Sequence, residues 1–311
     1  MDLSPLTTVW CPVTDRACLV IVTDNQQAAL AAKLAADNKP TLGQYRLINL
    51  DMLRLETLAD LPPLGPDDLL VILLSVQGYL RGANRLFPAF RKPNELIAKY
   101  AMIRPGIDED SLSSGLHTPL TQILALEESL KTTAANQTLR ITSPSGTDLT
   151  LQTREFTTLP YRFTADRDYA YLPAPEIYTA IKEGSANGTI VVDLTVGELR
   201  FQGNLLQPFG LVKEPLSIRV KNGSIEQFSG GPFAGLLEEE FSKLNQNCKC
   251  VVELGYGLSS MQPTGLIGID ESILGTCHFG IGDNLFYGGR NQAPIHWDVV
   301  IRNPSYRVLP S

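Results

Sequence analysis

The stretch ACLVIVTDNQQAALAAKLAADN, Ala17–Asn38, decides the first half of the fold. It opens with a short β-branched run closed by turn residues and continues with alanines and leucines at helical spacing. A buried strand that feeds a helix begins an α/β layer. Working outward, YRLINL (Tyr45–Leu50) and DDLLVILLS (Asp67–Ser75) read as two further buried strands, and KPNELIAKYAM (Lys92–Met102) as a closing helix. The segment after Val22, TDNQQ, lacks a glycine-rich phosphate cradle, which argues against a working dinucleotide fold despite the βαβ rhythm. Residues 1–110 are therefore expected to form an α/β layer domain.

RPGIDEDSLSSGLHTP (Arg104–Pro119) carries the breakers of a linker, with Thr118-Pro119 as N-cap and first turn of a helix in LTQILALEESLKTTAANQ. Beyond it the pattern is mostly strands and hairpins: LRITSPSGTDLTLQT, GTIVVDLTVGELRFQGN, LSIRVKNGSIEQFSG, CKCVVELGYG, GTCHFGIG and IHWDVVI, with one helix in GPFAGLLEEEFSKLNQN. Residues 111–311 are expected to be a strand-rich α+β domain.

Composition narrows the function classes. Hydrophobic residues are 43% and charged residues 19% of the chain, enough apolar surface for a folded core and too much for disorder. The net charge of −7, with no basic cluster, argues against a nucleic-acid partner. Five cysteines, an odd number set in or beside apolar runs, read as reduced thiols. The N-terminus MDLSPLTTVWCPV has neither the basic nor the apolar region of a signal peptide, and no apolar run approaches bilayer-spanning length. The expectation is a cytoplasmic protein with no membrane partner.

Chemistry concentrates in GTCHFGIGDNLFYGGRNQAPIHWDVVI (Gly275–Ile301), which holds two of the three histidines. As a strand, IHWDVVI sends Ile295, Trp297 and Val299 to one face and His296 and Asp298 to the other, roughly 6–7 Å apart. An imidazole beside a carboxylate suits a zinc- or iron-like cation better than calcium. The simpler alternative is an edge strand whose polar face meets water. In GTCHFGIG, His278 shares a face with Gly280 and Gly282, so something must approach the backbone there, be it a metal site, a bulge or a close neighbouring strand. Glu253, at the end of an apolar run in VVELGYG, is disfavoured unless paired, metal-bound or emerging into solvent. Glu176 in YLPAPEIYTA is by itself an ordinary acid. His117 reads as a loop residue, with a role as acid or base as the alternative. Cys248 and Cys250 would share a strand face but lack a second pair at zinc-ribbon spacing, and GLLEEEF is a solvated helix face.

Taken together, LPAPEIYTAIKEGSANGTIVVD, VVELGYG, DESILGTCHFGIGDN and GGRNQAPIHWD resemble successive motifs of the aminopeptidase T family of metallopeptidases, a group that includes iron-dependent 2,5-dihydroxypyridine ring-opening dioxygenases. The resemblance covers about 170–301. It implies a pair of divalent ions, zinc, cobalt or manganese, held by Glu176, Glu253, His278, His296 and Asp298. Glu253 or Asp298 would bridge them and Glu176 would shuttle protons. Where the peptidases carry a tyrosine this chain has Leu285, and Tyr287 is the nearest catalytic substitute. The first expectation is an aminopeptidase-type hydrolase of small peptides, working as a homodimer. The alternatives are a mononuclear Fe(II) dioxygenase built on His278, His296 and Asp298 with a small aromatic substrate, and a non-catalytic metal-binding relative.

Overall fold

The computed structural model describes residues 1–39, 41–42, 44–52, 61, 63–86, 98–207 and 209–310. The strands of the first half are β1 (Cys18–Thr23), β2 (Gln44–Asn49), β3 (Leu69–Leu73), β4 (Lys99–Ile103), β5 (Thr138–Thr142), β6 (Asp148–Thr158), β7 (Tyr169–Leu172) and β8 (Glu176–Ile181). Those that follow are β9 (Asn187–Val192), β10 (Thr195–Val196), β11 (Leu199–Phe201), β12 (Asn204–Gln207), β13 (Gly210–Leu211), β14 (Leu216–Lys221), β15 (Ser224–Ser229), β16 (Val251–Gly257), β17 (Thr276–Gly282), β18 (His296–Arg302) and β19 (Ser305–Val308). The α-helices are α1 (Ala28–Asn38), α2 (Val76–Leu86), α3 (Glu109–Leu116), α4 (Leu120–Thr133), α5 (Ala234–Ser242) and the single turn α6 (Ile267–Asp270). None of the described helices is long and apolar enough to cross a membrane.

The chain divides into two units, Met1–Thr118 with Leu159–Pro175, and Pro119–Thr158 with Glu176–Ser311. The first is the α/β layer. Among the described residues its five strands lie in the order β2-β1-β3-β4-β7, every neighbouring pair parallel. A parallel sheet is covered on both faces, so its inner strands are continuous apolar runs rather than alternating ones. That is the pattern of β1, where only Cys18 is partly exposed, and of β3, which is wholly buried. Val20, Val22, Leu70, Ile72, Tyr100 and Met102 meet in one core cluster. Where a nucleotide fold would cradle phosphate after β1, Asp24 is fully buried. Its carboxylate accepts from the backbone N–H groups of Gln27 (3.0 Å) and Ser75 (2.9 Å) and from Ser75 Oγ (2.6 Å), tying the ends of β1 and β3 together.

Three expectations change here. Of the helix read over 92–102, residues 92–97 lie outside the described residues and Lys99–Ile103 is β4, held between β3 and β7. Pairing with distant strands decides the conformation of an ambiguous apolar run. The segment read as a linker contains α3, whose N-cap Asp108 accepts from Ser111 N, and α4 starts after Pro119 without a Thr118 cap. Drawn at 110 from sequence, the division falls after Thr118 by contact. Residues 159–175 return to the first unit because β7 pairs in parallel with β4, a partnership across about 70 residues that no local signal announces.

The second unit is a strand-rich α+β assembly. Its main sheet runs β13-β10-β18-β17-β16-β8-β6-β9-β14-β15, with β5 on β6 and β19 on β5, all antiparallel. The outer strand β14 alternates buried residues with partly or fully exposed ones, as a strand with one wet face does. The central strands β16 and β17 are buried at every position. On one side of β18, Trp297 packs against Phe241 of α5 at 5.3 Å between ring centres, and its indole N–H donates to Gly197 O at 2.8 Å. That apolar anchor fixes which way the alternate residues His296 and Asp298 point.

Candidate metal centre

Four adjacent antiparallel strands, β8, β16, β17 and β18, present Glu176, Glu253, His278, His296 and Asp298. Register sets them side by side: Glu176 pairs with Gly257, Glu253 with Gly280, Gly255 with His278, Gly280 with Asp298, and Gly282 with His296. Neighbouring strands lie about 4.8 Å apart, so residues at matching positions on one face meet without any loop rearrangement. A register irregularity between Val251 and Glu253 re-aims β16 just before the carboxylate it must deliver.

Two compact groups result. The ligand-type atoms of Glu176, Glu271 and His278 all lie within 4.8 Å of one another, and so do those of Glu253, His296 and Asp298. Glu253 stands between the groups: Oε1 is 3.6 Å from His278 Nε2, and Oε2 is 3.1 Å from His296 Nε2. Asp298 Oδ1 lies 3.1 Å from His296 Nε2, and Glu176 Oε2 lies 4.0 Å from His278 Nε2. Of the two bridging candidates read from sequence, Glu253 occupies the middle and Asp298 serves one side.

The donor set fits divalent cations. His278 Nδ1 lies 3.3 Å from Glu271 O and His296 Nδ1 2.7 Å from Asp283 O. A carbonyl only accepts, so each Nδ1 carries the donated proton and each Nε2 turns toward the carboxylates, the orientation of a metal-ligating histidine. In a neutral ring that Nε2 is a lone pair facing carboxylate oxygens, and either a proton or a cation must lie between them. Burial opposes a charged imidazole at His278, but the Glu253 hydrogen bond and the charges of Glu176, Glu253 and Glu271 outweigh it and raise its pKa to about 10. At His296 burial is outweighed in the same way by Asp298 and Glu253, and its pKa rises well above the usual imidazole value. Glu253 Oε2 is buried and takes no well-directed hydrogen bond. Gathering four carboxylates against two imidazoles in so enclosed a place is costly unless positive charge compensates them.

Two glycines make the room. A Cβ on Gly255 would fall 2.1 Å from the His278 ring, and one on Gly280 would meet Glu253 Oε2 at 2.7 Å and His296 Cε1 at 2.8 Å. The close approach expected on the histidine face of β17 is therefore that of the site's own side chains. The loop from Asp283 to Ile295 then lays Tyr287 against the site. Its ring stacks on His296 at 4.9 Å and meets Tyr178 edge-on at 5.1 Å, and Oη sits 3.3 Å from His296 Nε2. Burial, with the charges of Glu253 and Asp298, pushes the Tyr287 phenol well above its usual pKa and keeps it protonated.

Residues 117–308 match the family described as NicX: 2,5-dihydroxypyridine 5,6-dioxygenase. The chain belongs to this NicX family. A curated relative, the 2,5-dihydroxypyridine 5,6-dioxygenase of Pseudomonas putida, is 24% identical over 196 residues, which cover 58% of this chain and 53% of the relative. The matched stretch thus spans about half that relative's length. Among solved structures, the 2,5-dihydroxypyridine dioxygenase of Pseudomonas putida KT2440 superposes with a TM-score of 0.62 at 16% identity, covering 98% of this chain and 92% of that one. Wild-type AmpT from Thermus thermophilus gives 0.61 at 15% identity, covering 99% and 94%. At such identities the two structures establish a shared fold.

Within this NicX family member all five residues singled out from sequence converge, and Tyr287 lies beside them. Glu253 proves to be a buried mid-strand residue rather than a strand end. Glu271 escaped the sequence reading. It follows α6 and reaches the first group from a turn, outside any strand alternation; the signal available was an acid beside Asp270 in the otherwise apolar GLIGIDESILG. The two histidines fall in different groups, so the three-residue set His278, His296 and Asp298 is not one compact triad. His117 caps the C-terminus of α3, with Nδ1 2.8 Å from Ser113 O, and is half-exposed. Cys248 lies in a 3-10 turn and Cys250 directly after it, bridged to Ser224, so the two do not share a strand face, and all five cysteines are free thiols.

Proposed function

We propose that this chain is a metal-dependent ring-opening dioxygenase acting on a small hydroxylated aromatic. The observation that carries the reading is the NicX family match over residues 117–308, which contains the whole metal centre. It reverses the order of the expectations from sequence, which placed peptide hydrolysis first. Glu253, His296 and Asp298 would hold a redox-active divalent cation, which would supply oxygen activation when bound. The protein's own groups do the rest. The phenol of Tyr287, kept protonated, donates a hydrogen bond toward the site, and the rings of Tyr178 and Tyr287 wall off water and offer an aromatic surface to a planar substrate. Glu176 stands on the far side of Glu253 and takes the proton of a substrate hydroxyl.

One observation favours a second reading. The ligands form two groups of one histidine and two carboxylates with Glu253 between them, a layout that suits two cations activating water for amide hydrolysis. Metal content and oxygen dependence separate the two. Iron-loaded protein is to be given dihydroxylated pyridines and benzenes with and without oxygen, and a panel of short peptides with free N-termini under anaerobic conditions. Oxygen uptake matched to ring opening, absent without oxygen, is expected. Anaerobic peptide hydrolysis with two metals per chain would establish the second reading and overturn the first.

A further inference from the structure

The loop between β17 and β18, Asp283–Ile295, forms neither strand nor helix, so its backbone groups must be satisfied one by one. Much of that falls to a single residue. Asn284 is fully buried. Its Oδ1 accepts from Asn291 N at 2.8 Å, and its Nδ2 faces Val252 O at 3.4 Å and Glu183 Oε1 at 3.5 Å. Its backbone N–H donates to Asn291 O at 3.0 Å, and its carbonyl accepts from Tyr287 N at 3.1 Å and Gly289 N at 2.9 Å. Gly289 lies directly against the amide, where a Cβ would fall 2.0 Å from Asn284 Nδ2. Asn291 carries the tie onward, its Nδ2 donating at 2.6 Å to the carbonyl of Gly282, the β17 residue paired with His296.

Two groups of the metal centre depend on this loop. The carbonyl of Asp283, next to Asn284 in the chain, accepts from His296 Nδ1 at 2.7 Å and so turns Nε2 toward Glu253 and Asp298. Tyr287, whose N–H ends on Asn284 O, stacks its ring on His296. A hydrogen bond at the far nitrogen of a ligating imidazole fixes its tautomer and ring direction and raises its basicity. That bond is only as well placed as the carbonyl that accepts it. An amide suits the position, because one end accepts from a backbone N–H while the other donates to a carbonyl and a carboxylate. A carboxylate would set oxygen against Val252 O, and an aliphatic side chain would leave buried polar groups of the loop unpaired.

We propose that Asn284 is a positioning residue of the metal centre, setting the affinity of the His296 side through Asp283 O without being a ligand itself. The role rests on the reading of Glu253, His296 and Asp298 as metal ligands and is the same for ring opening and for hydrolysis.

Zinc is the probe, its affinity for the full-length chain read by competition with a chromophoric chelator. The Nδ1–H proton resonances of His278 and His296 are recorded at saturating zinc. Asn284→Ala should weaken zinc binding by about 10-fold or more, the effect of removing an outer partner of a metal ligand. It should also shift or broaden the His296 resonance and leave that of His278 in place. Gly289→Ala presses on the same amide from a partly exposed loop position and should act in the same direction, so it carries the test if Asn284→Ala does not fold. Asn38→Ala is the matched control from the first unit. Asn38 is also fully buried, its amide accepting from Thr7 Oγ1 at 2.6 Å and donating to Leu3 O at 3.1 Å and Leu34 O at 2.8 Å. Its loss should lower the melting temperature while zinc affinity and both resonances stay as in the parent. Parental zinc affinity in Asn284→Ala and Gly289→Ala, an unmoved His296 resonance, or an equal loss of affinity in Asn38→Ala would overturn the role of Asn284. Failure of the parent itself to bind zinc would instead overturn the metal centre on which that role rests.

Discussion

β3 in the first unit and β17 in the second are both buried at every position, yet they are buried for different reasons. β3 reads LLVIL, and each of its side chains packs in a parallel layer. β17 reads TCHFGIG, apolar on one face only, its other face given to His278 and to glycines that leave space for neighbouring ligands. Complete burial is thus no measure of hydrophobic character. In a parallel layer it is the work of covering helices, and in the antiparallel sheet it marks where polar groups from adjacent strands have closed over one another.

That contrast can be broken most directly at Glu253. Glu253→Ala should lower metal affinity by about 100-fold or more, since removing even an outer partner of a metal ligand costs about 10–100-fold. It should also ease the crowding of carboxylates in metal-free protein and raise its melting temperature. Metal per chain measured after gel filtration, with thermal melts in chelator, checks both. Full metal retention would remove Glu253 from the centre.

Gly280→Ala comes next. Its Cβ would meet Glu253 and His296 at under 3 Å, so a cost of about 1–3 kcal/mol is expected together with loss of metal. Ile72→Val in β3 is the matched control from the first unit. It should cost about 0.5–1.5 kcal/mol and leave metal content unchanged. If both variants lose stability alike and neither loses metal, the distinction between the two kinds of burial fails. Chemical denaturation alongside elemental analysis reads both quantities.

Smaller effects are expected at the edge of the site. Glu183 accepts from Arg290 N at 2.7 Å and from Arg154 Nη2 at 2.9 Å, tying down the loop that carries Tyr287. Burial works against its charge, but these hydrogen bonds prevail and its pKa is lowered. A depressed carboxylate adds stability above its unfolded pKa of about 4.3 and loses it as pH falls through the folded value. Partial exposure keeps the effect small, so Glu183→Gln should shift the melting temperature at neutral pH by about 2 °C or less and flatten its decline below about pH 4. Reductant should have the smallest effect of all. With five free thiols, melting with and without dithiothreitol should coincide, and a large drop would reveal a disulfide.

Some of this architecture is local information, and some is not. The β1–α1 unit, the alternation in IHWDVVI that sends His296 away from Trp297, and the glycines beside His278 are consequences of period and residue type. They were legible before any contact was known. β4 was not, because Lys99–Ile103 is compatible with a helix until β3 and β7 lie on either side of it. Nor was Glu271, which belongs to no periodic element.

Sequence alone determined the two fold classes, the strand faces and the residue types able to bind a metal, because backbone alternation and side-chain chemistry act within a few residues. Only the tertiary structure decided how those residues divide. Register across β8, β16, β17 and β18, the first beginning at Glu176 and the last at His296, puts Glu253 between two histidines and separates the ligands into two groups. Hydrogen-bond register between distant strands is a property of the assembled sheet, set by the packing of its other face, and no window of sequence contains it.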